Sequence, residues 1–342
     1  MKWFSPTKAP FEIEGLVFME KDGVYRRLQI NPPKPLPNDV AVLANHTAGA
    51  KVRFRANLSK LSVKTKLIHT ANTHDHMPAT CESGIDCYIS REGEVRFCHT
   101  SRIDRTKDEY EAELINREVK ETFNIELNLP LYNGLYQLLI GVDGDAEVYP
   151  PVKRENEGRI VVYGTSITQG GCASRPGMCY TNILSRKLDT EVVNLGFSGA
   201  GKVEAEVALA IREIDNIKLL ILDTDANCPD AAWISEKYPE FLRLFRERHP
   251  DVPVLITTII PTARILHEKV SREFYKSKFD AQVKVYEDLL KNGDQNVYFM
   301  DGHDLLPNDT FEENTVDGVH ATDLGFWNMA CAFEAKIREI IQ

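Results

Sequence analysis

At Pro150-Pro151 the chain changes its hydrophobic rhythm, and that change constrains the fold more than any other feature. Before it, short runs alternate apolar and polar residues with the period of two that a half-buried strand requires. Val52-Arg53-Phe54-Arg55-Ala56 and Ser62-Val63-Lys64-Thr65-Lys66-Leu67-Ile68 are such runs. Ile85-Asp86-Cys87-Tyr88-Ile89 and Val95-Arg96-Phe97-Cys98 flank Arg91-Glu92-Gly93-Glu94, which reads as a hairpin turn. Another run covers Leu135 to Val142. Few helical patterns interrupt these runs. Residues 1–150 are therefore expected to form an antiparallel, jelly-roll-like β-sandwich domain.

After the charged stretch Lys153-Arg154-Glu155-Asn156-Glu157 the texture differs. Continuous apolar runs at 159–163, 191–195, 218–222, 252–258 and 296–300 alternate with helix-length amphipathic segments. Those segments lie near 178–188, 203–214, 233–248 and 268–292, with a last one from about 323. Such alternation predicts a parallel sheet covered by helices on both faces over 158–342. Sheets of this kind place their chemistry at the carboxyl ends of their strands.

The first of those loops carries Tyr163-Gly164-Thr165-Ser166-Ile167-Thr168-Gln169-Gly170. A Ser between a strand and a helix sits where backbone N–H groups converge, but its hydroxyl needs a general base to act as a nucleophile. Asp317-Gly318-Val319-His320, just before the last helical segment, offers that base. His320 can accept the Ser166 proton, and Asp317 can hold the imidazole in one tautomer. The second strand ends in Asn194-Leu195-Gly196-Phe197-Ser198-Gly199-Ala200-Gly201, where Gly196 is a candidate amide donor to an oxyanion. That loop lacks the Lys-Ser/Thr ending of a phosphate-binding Walker loop. The third strand ends in Asp223-Thr224-Asp225-Ala226-Asn227, and the Asn227 amide is a second candidate donor.

Gly164-Thr165-Ser166, Gly196, Asn227 and Asp317-Gly318-Val319-His320 follow the order of the four sequence blocks of SGNH hydrolases. Residues 158–342 resemble that family. The resemblance implies a flavodoxin-like three-layer domain, a Ser166-His320-Asp317 site, and an oxyanion hole of the Ser166 and Gly196 N–H groups with the Asn227 side chain. Two positions depart from the pattern. Thr165 stands where the family has Asp before the nucleophile, and Asp225 stands where it has Gly before the Asn. His76-Met77-Pro78 and Gly84-Ile85-Asp86-Cys87-Tyr88 resemble the sandwich domain of a two-domain SGNH subfamily, and in the second half Tyr163 to Gly170, Ser174-Arg175-Pro176-Gly177 and Tyr180 also resemble that subfamily. The relatives implied are esterases of acylated sugars and acyltransferases acting on small natural products.

These features predict a serine esterase that hydrolyses short-chain O-esters, acetyl above all, on a carbohydrate, with no cofactor and no metal. The alternatives are an acyltransferase with the same residues, a non-catalytic carbohydrate-binding protein, and a phosphate-handling enzyme. His76, Met77 and Arg175 are expected to line the substrate site. His303, in Asp301-Gly302-His303-Asp304, is the rival base, and His69, His74 and His76 beside Asp75 form a conceivable metal cluster.

Composition narrows the partners. The net charge of −10 disfavours nucleic acid. No run is apolar and long enough to span a bilayer. Met1-Lys2-Trp3-Phe4-Ser5-Pro6 has no apolar segment after its Lys, so no signal peptide is expected. The seven cysteines are odd in number and lack metal-type spacing. They are expected to be free thiols in a cytoplasmic protein that binds a small-molecule or oligosaccharide ester.

Overall fold

The computed structural model describes residues 1–71, 74–91 and 93–341. Among them are two sheets, one antiparallel and one parallel. The antiparallel sheet has eight strands: β1 (Lys2–Phe4), β2 (Glu12–Glu14), β3 (Lys51–Leu67), β4 (Asp86–Arg91), β5 (Glu94–Thr100), β6 (Glu109–Asn128), β7 (Leu135–Val142) and β8 (Glu147–Tyr149). The main order is β1-β7-β3-β6-β4-β5, with β2 and β8 also on β3. β4 and β5 pair across the expected hairpin, whose Glu92 lies outside the described residues.

β3 shows how alternation builds this sheet. Val52, Phe54, Ala56 and Leu58 are fully buried, and then Leu61, Val63 and Leu67 are. The inward parity changes from even to odd because the β3–β6 register slips between Leu58 and Lys60 and again between Leu61 and Ser62. A bulge adds a residue, reverses which face is buried, and bends the strand. The bend lets β7 take Leu61–Leu67 while β2 and β8 take the other half of the same edge. β6, twenty residues long, has no counterpart among the runs read from sequence. Its solvent face is dense in Glu, Arg and Lys, and its exposed stretch around the bulge hides the alternation.

The parallel sheet comprises β9 (Arg159–Gly164), β10 (Glu191–Gly196), β11 (Ile217–Asp223), β12 (Val254–Thr257) and β13 (Val297–Met300), in the order β10-β9-β11-β12-β13. That is the flavodoxin-like order, with its switch point between β9 and β11. Alternate strand residues go to opposite faces. Val161, Tyr163, Val193, Leu195, Leu220 and Leu222 pack beneath helices Ala205–Ile211, Ala231–Arg246 and Lys269–Lys291. Ile160, Val162, Val192, Leu219 and Ile221 pack beneath helices Tyr180–Leu188 and Asp323–Ile340. Asp230 and Thr322 cap two of these helices by accepting from Trp233 N and Gly325 N.

The N-terminal part of the chain also enters both of these layers. Leu28, Leu36, Val40 and Ala44 join the first, and Met77, Cys81, Leu131 and Tyr132 join the second. Arg27 is fully buried and donates to the carbonyls of Gly196, at 2.5 Å, and Leu43, at 2.7 Å. Arg154, in the connection before β9, bonds Glu14, Glu126 and Asp189 together. No helix among the described residues is long and apolar enough to cross a membrane.

Candidate active site

Ser166 opens a one-turn helix, Ser166–Gln169, directly after β9. Thr165 supplies the cap: its side chain accepts from Ile167 N, and Thr168 Oγ1 accepts from Thr165 N. The residue that replaces the family's usual Asp thus fixes the turn on which Ser166 sits. Gly170 ends the helix in the left-handed region. Tyr132, from between β6 and β7, donates its hydroxyl to Ser166 O at 3.1 Å.

His320 reaches Ser166 from the segment before the last helix. Its Nε2 lies 2.9 Å from Ser166 Oγ, and its Nδ1 lies 2.7 Å from Asp317 Oδ2. The other carboxylate oxygen of Asp317 accepts from the backbone N–H groups of His320, at 2.8 Å, and Val319, at 3.0 Å. Burial raises the affinity of Asp317 for a proton, but these hydrogen bonds and the His320 charge outweigh it and hold the carboxyl below its usual range. An ionised Asp317 at Nδ1 leaves Nε2 as the atom facing Ser166. Ser166, His320 and Asp317 are therefore brought together. His303 is not: it pairs with Asp301 at 2.9 Å and stands exposed.

The oxyanion side requires a correction. The Gly196 N–H donates to Asn194 Oδ1 at 2.9 Å and is buried, so it has nothing left for a substrate. Gly196 is needed for another reason: a Cβ there would collide with Gln169 N in the Ser166 helix. The free amide lies three residues on. In the loop after β10, Phe197 N bonds Gly164 O, Ser198 N bonds Gln169 Oε1, and Ala200 N and Gly201 N both bond Phe197 O. Gly199 N takes no partner among the described residues, and Gly199 adopts φ +67°, where glycine is at ease. Ser166 N also has no partner among the described residues. Asn227 stands beside this loop, with one amide hydrogen of Nδ2 on Phe197 O at 3.2 Å and the other left for a ligand. The signal for Gly199 in the sequence is the Gly-x-x-Gly spacing, which does not say which amide is already bonded inside the fold.

The two acidic neighbours of Asn227 are structural. Asp223 is buried and accepts from Thr168 Oγ1, at 2.7 Å, and Tyr180 Oη, at 2.8 Å. Burial pushes its carboxyl up to about 6 against those bonds. Asp225 pairs with the buried Lys278 at 2.8 Å and accepts from Ile259 N.

Of the expected substrate residues, His76 and Met77 come to the site and Arg175 does not. The His76 ring lies 5.4 Å from the His320 ring, centroid to centroid, and Met77 is buried beside Gly171. Arg175 instead turns to the antiparallel sheet. It donates to Asp86 Oδ2 at 2.8 Å and Tyr88 Oη at 2.7 Å, and lies over the Phe97 ring at 3.8 Å. Asp86 is fully buried and also accepts from Gly177 N and Asn128 Nδ2. The Gly84-Ile85-Asp86-Cys87-Tyr88 segment is thus a clasp between the sheets, and Arg175 belongs to it. The conceivable metal cluster does not converge on one point: the His74 and His76 rings lie 5.9 Å apart, centroid to centroid, His74 pairs with Glu82, and His69 turns to Thr70 O. A different group converges, with His76, Cys172 and His320 donor atoms all within 4.8 Å of one another.

A hydroxyl on a strand-to-helix turn, an imidazole anchored by a carboxylate, and free N–H donors nearby can perform acyl transfer through a serine ester. The sequence comparisons agree with that class. Residues 157–338 match the model of the GDSL-like lipase/acylhydrolase family, and residues 1–148 match the GxDLY model for the N-terminus of SGNH-hydrolase-type esterases. The chain belongs to the GDSL-like lipase/acylhydrolase family and is an ester-hydrolysing enzyme of the SGNH type. It is similar over 99% of its length to the crystal structure of a protein described as a GDSL-like lipase from Bacteroides ovatus ATCC 8483, at 30% identity, TM-score 0.90 and 97% of that chain. A salicylyl-acyltransferase from a tetracycline biosynthetic pathway shares the fold at 19% identity and TM-score 0.76, over 99% of this chain and 97% of that one. A family two carbohydrate esterase from Cellvibrio japonicus does so at 16% identity and TM-score 0.61, over 99% and 98%. No curated protein sequence matches this chain.

Proposed function

We propose that this enzyme removes short acyl groups, acetyl above all, from hydroxyls of a carbohydrate, with Ser166 as nucleophile, His320 as base and Asp317 as its anchor. The observation that carries the reading is the unbroken chain from Ser166 Oγ through His320 to Asp317, at 2.9 and 2.7 Å. His320 takes the hydroxyl proton as Ser166 Oγ bonds to the ester carbon. The carbonyl oxygen gains negative charge, and the N–H groups of Ser166 and Gly199 with Asn227 Nδ2 are the donors available to it. The alcohol leaves with the proton from His320, and water then attacks the acyl-enzyme with the same base.

A carbohydrate target is supported by the fold shared with a carbohydrate esterase and by a site walled with polar rings, His74, His76 and Tyr132. The fold shared with an acyltransferase favours a second reading, in which a sugar or other alcohol replaces water. Residues 1–150 then act as an accessory domain that shapes the site, and residues 158–342 as the catalytic domain. Acetate release from acetylated oligosaccharides tests the proposal. Ser166→Ala is expected to lower turnover by about 10⁴-fold or more with the fold intact by circular dichroism. Retained turnover in that variant overturns the nucleophile, and acetate release from no carbohydrate ester overturns the substrate class.

A further inference from the structure

His76, Cys172 and His320 come from three separate segments: the connection between β3 and β4, the turn after the Ser166 helix, and the segment before the last helix. One ligand atom from each lies within 4.8 Å of the other two. Cys172 is 6% exposed, while His76 and His320 are partly open to solvent, so an ion has a route in and a thiol at the floor. Cys172 also holds φ +75°, a conformation that a β-carbon disfavours. Its thiol sits at the edge of the buried apolar layer, within reach of the two imidazoles.

We propose that these three side chains form an inhibitory site for a thiophilic divalent cation, Zn²⁺ above all. The donor set, one sulfur and two imidazole nitrogens, is that of a zinc site with a fourth position for water. Bond lengths of about 2.0–2.3 Å put tetrahedral ligand atoms about 3.3–3.6 Å apart, so the present spacing closes with a side-chain shift of about 1 Å. On coordination the Cys172 thiol gives its proton to solvent and binds as thiolate. Both ring nitrogens of His320 are already committed, Nε2 to Ser166 and Nδ1 to Asp317. A cation taking either one breaks the Ser166–His320–Asp317 chain, so binding and ester hydrolysis exclude each other. The inhibitory consequence rests on His320 serving Ser166; the binding does not. Mg²⁺, which prefers oxygen ligands, is excluded by the same donor set.

Titration of the metal-free full-length protein with Co²⁺, a spectroscopic stand-in for zinc, is expected to give a saturable thiolate-to-cobalt charge-transfer band at one equivalent. Zn²⁺ should displace it and inhibit ester turnover reversibly on addition of chelator, while Mg²⁺ does neither. Cys172→Ala and Cys172→Ser should keep the turnover of the chelator-treated enzyme, lose the band, and need about 10–100-fold more Zn²⁺ for inhibition. His76→Ala, read by the band alone, should weaken binding similarly. An active enzyme with no saturable band, or a band and inhibition that survive in both Cys172 variants, overturns the site. An enzyme that shows the band but hydrolyses no ester keeps the site and overturns the proposed function instead.

Discussion

The parallel sheet delivers Ser166, Gly199 and Asn227 on loops after β9, β10 and β11, whereas the antiparallel sheet delivers His76, Met77 and Tyr132 from connections between its strands. The first set contains the atoms suited to exchange protons and hold charge, and the loops that carry them are held by hydrogen bonds within the same half of the chain, such as Phe197 N on Gly164 O and Ser198 N on Gln169 Oε1. The second set presents ring faces and a thioether, and approaches the chemistry through Tyr132 Oη on Ser166 O and the His76 ring beside His320. Loops at strand ends give precise positions because the sheet beneath them is rigid. A wall supplied by a second body can vary in shape without disturbing that precision. Such a division demands an interface that does not slip, and Asp86–Arg175 and the Arg154 cluster are its polar fastenings.

Substitutions that separate chemistry from fastening sharpen this contrast. Asp317→Asn should reduce kcat by about 10⁴-fold with an unchanged melting temperature, since only the His320 tautomer is disturbed. A loss below about tenfold in steady-state kinetics removes Asp317 from the machinery. Asn227→Ala should lower kcat by about 10²–10³-fold and leave KM near its original value, the mark of a donor used in the transition state. A raised KM with kcat unchanged would assign Asn227 to ground-state binding. Arg175→Ala should act on stability instead, because it leaves the buried Asp86 carboxylate without its cation. The expected loss is about 3–5 kcal/mol in urea unfolding, with KM little changed in protein that remains folded. A raised KM at full stability would return Arg175 to the substrate.

The smallest expected effect concerns Asp223, beneath the Ser166 helix. Its carboxyl is raised from 3.8 to about 6, so between those values the folded chain keeps a proton that the unfolded chain has released. Its contribution to stability is full below about pH 4 and is lost as pH rises to about 6, by about 3 kcal/mol. Asp223→Asn, which keeps an acceptor for Thr168 and Tyr180, should therefore gain stability relative to the parent between about pH 4.5 and 7. Parallel pH–stability curves for the two proteins would show that burial does not perturb this group.

Much of this was legible in the chain. The alternation of Val52–Ala56 and Ser62–Ile68, the apolar runs of the five parallel strands, and the helix-length segments between them determined both sheet types, because side-chain period reports burial directly. Ser166, His320 and Asp317 stood out because each falls at the boundary of an element. β6 did not, since its charged outer face and its bulge mask the period of two.

Other decisions were tertiary. Periodicity cannot say which backbone N–H is already bonded, and Asn194 Oδ1 takes that of Gly196 and leaves that of Gly199 free among the described residues. Nor does a guanidinium's place in the chain reveal its partner. Arg175 follows closely behind Ser166 in sequence, yet Asp86, 89 positions earlier, claims it. A buried carboxylate needs a cation, and only the packing of one sheet against the other decides which cation is within reach.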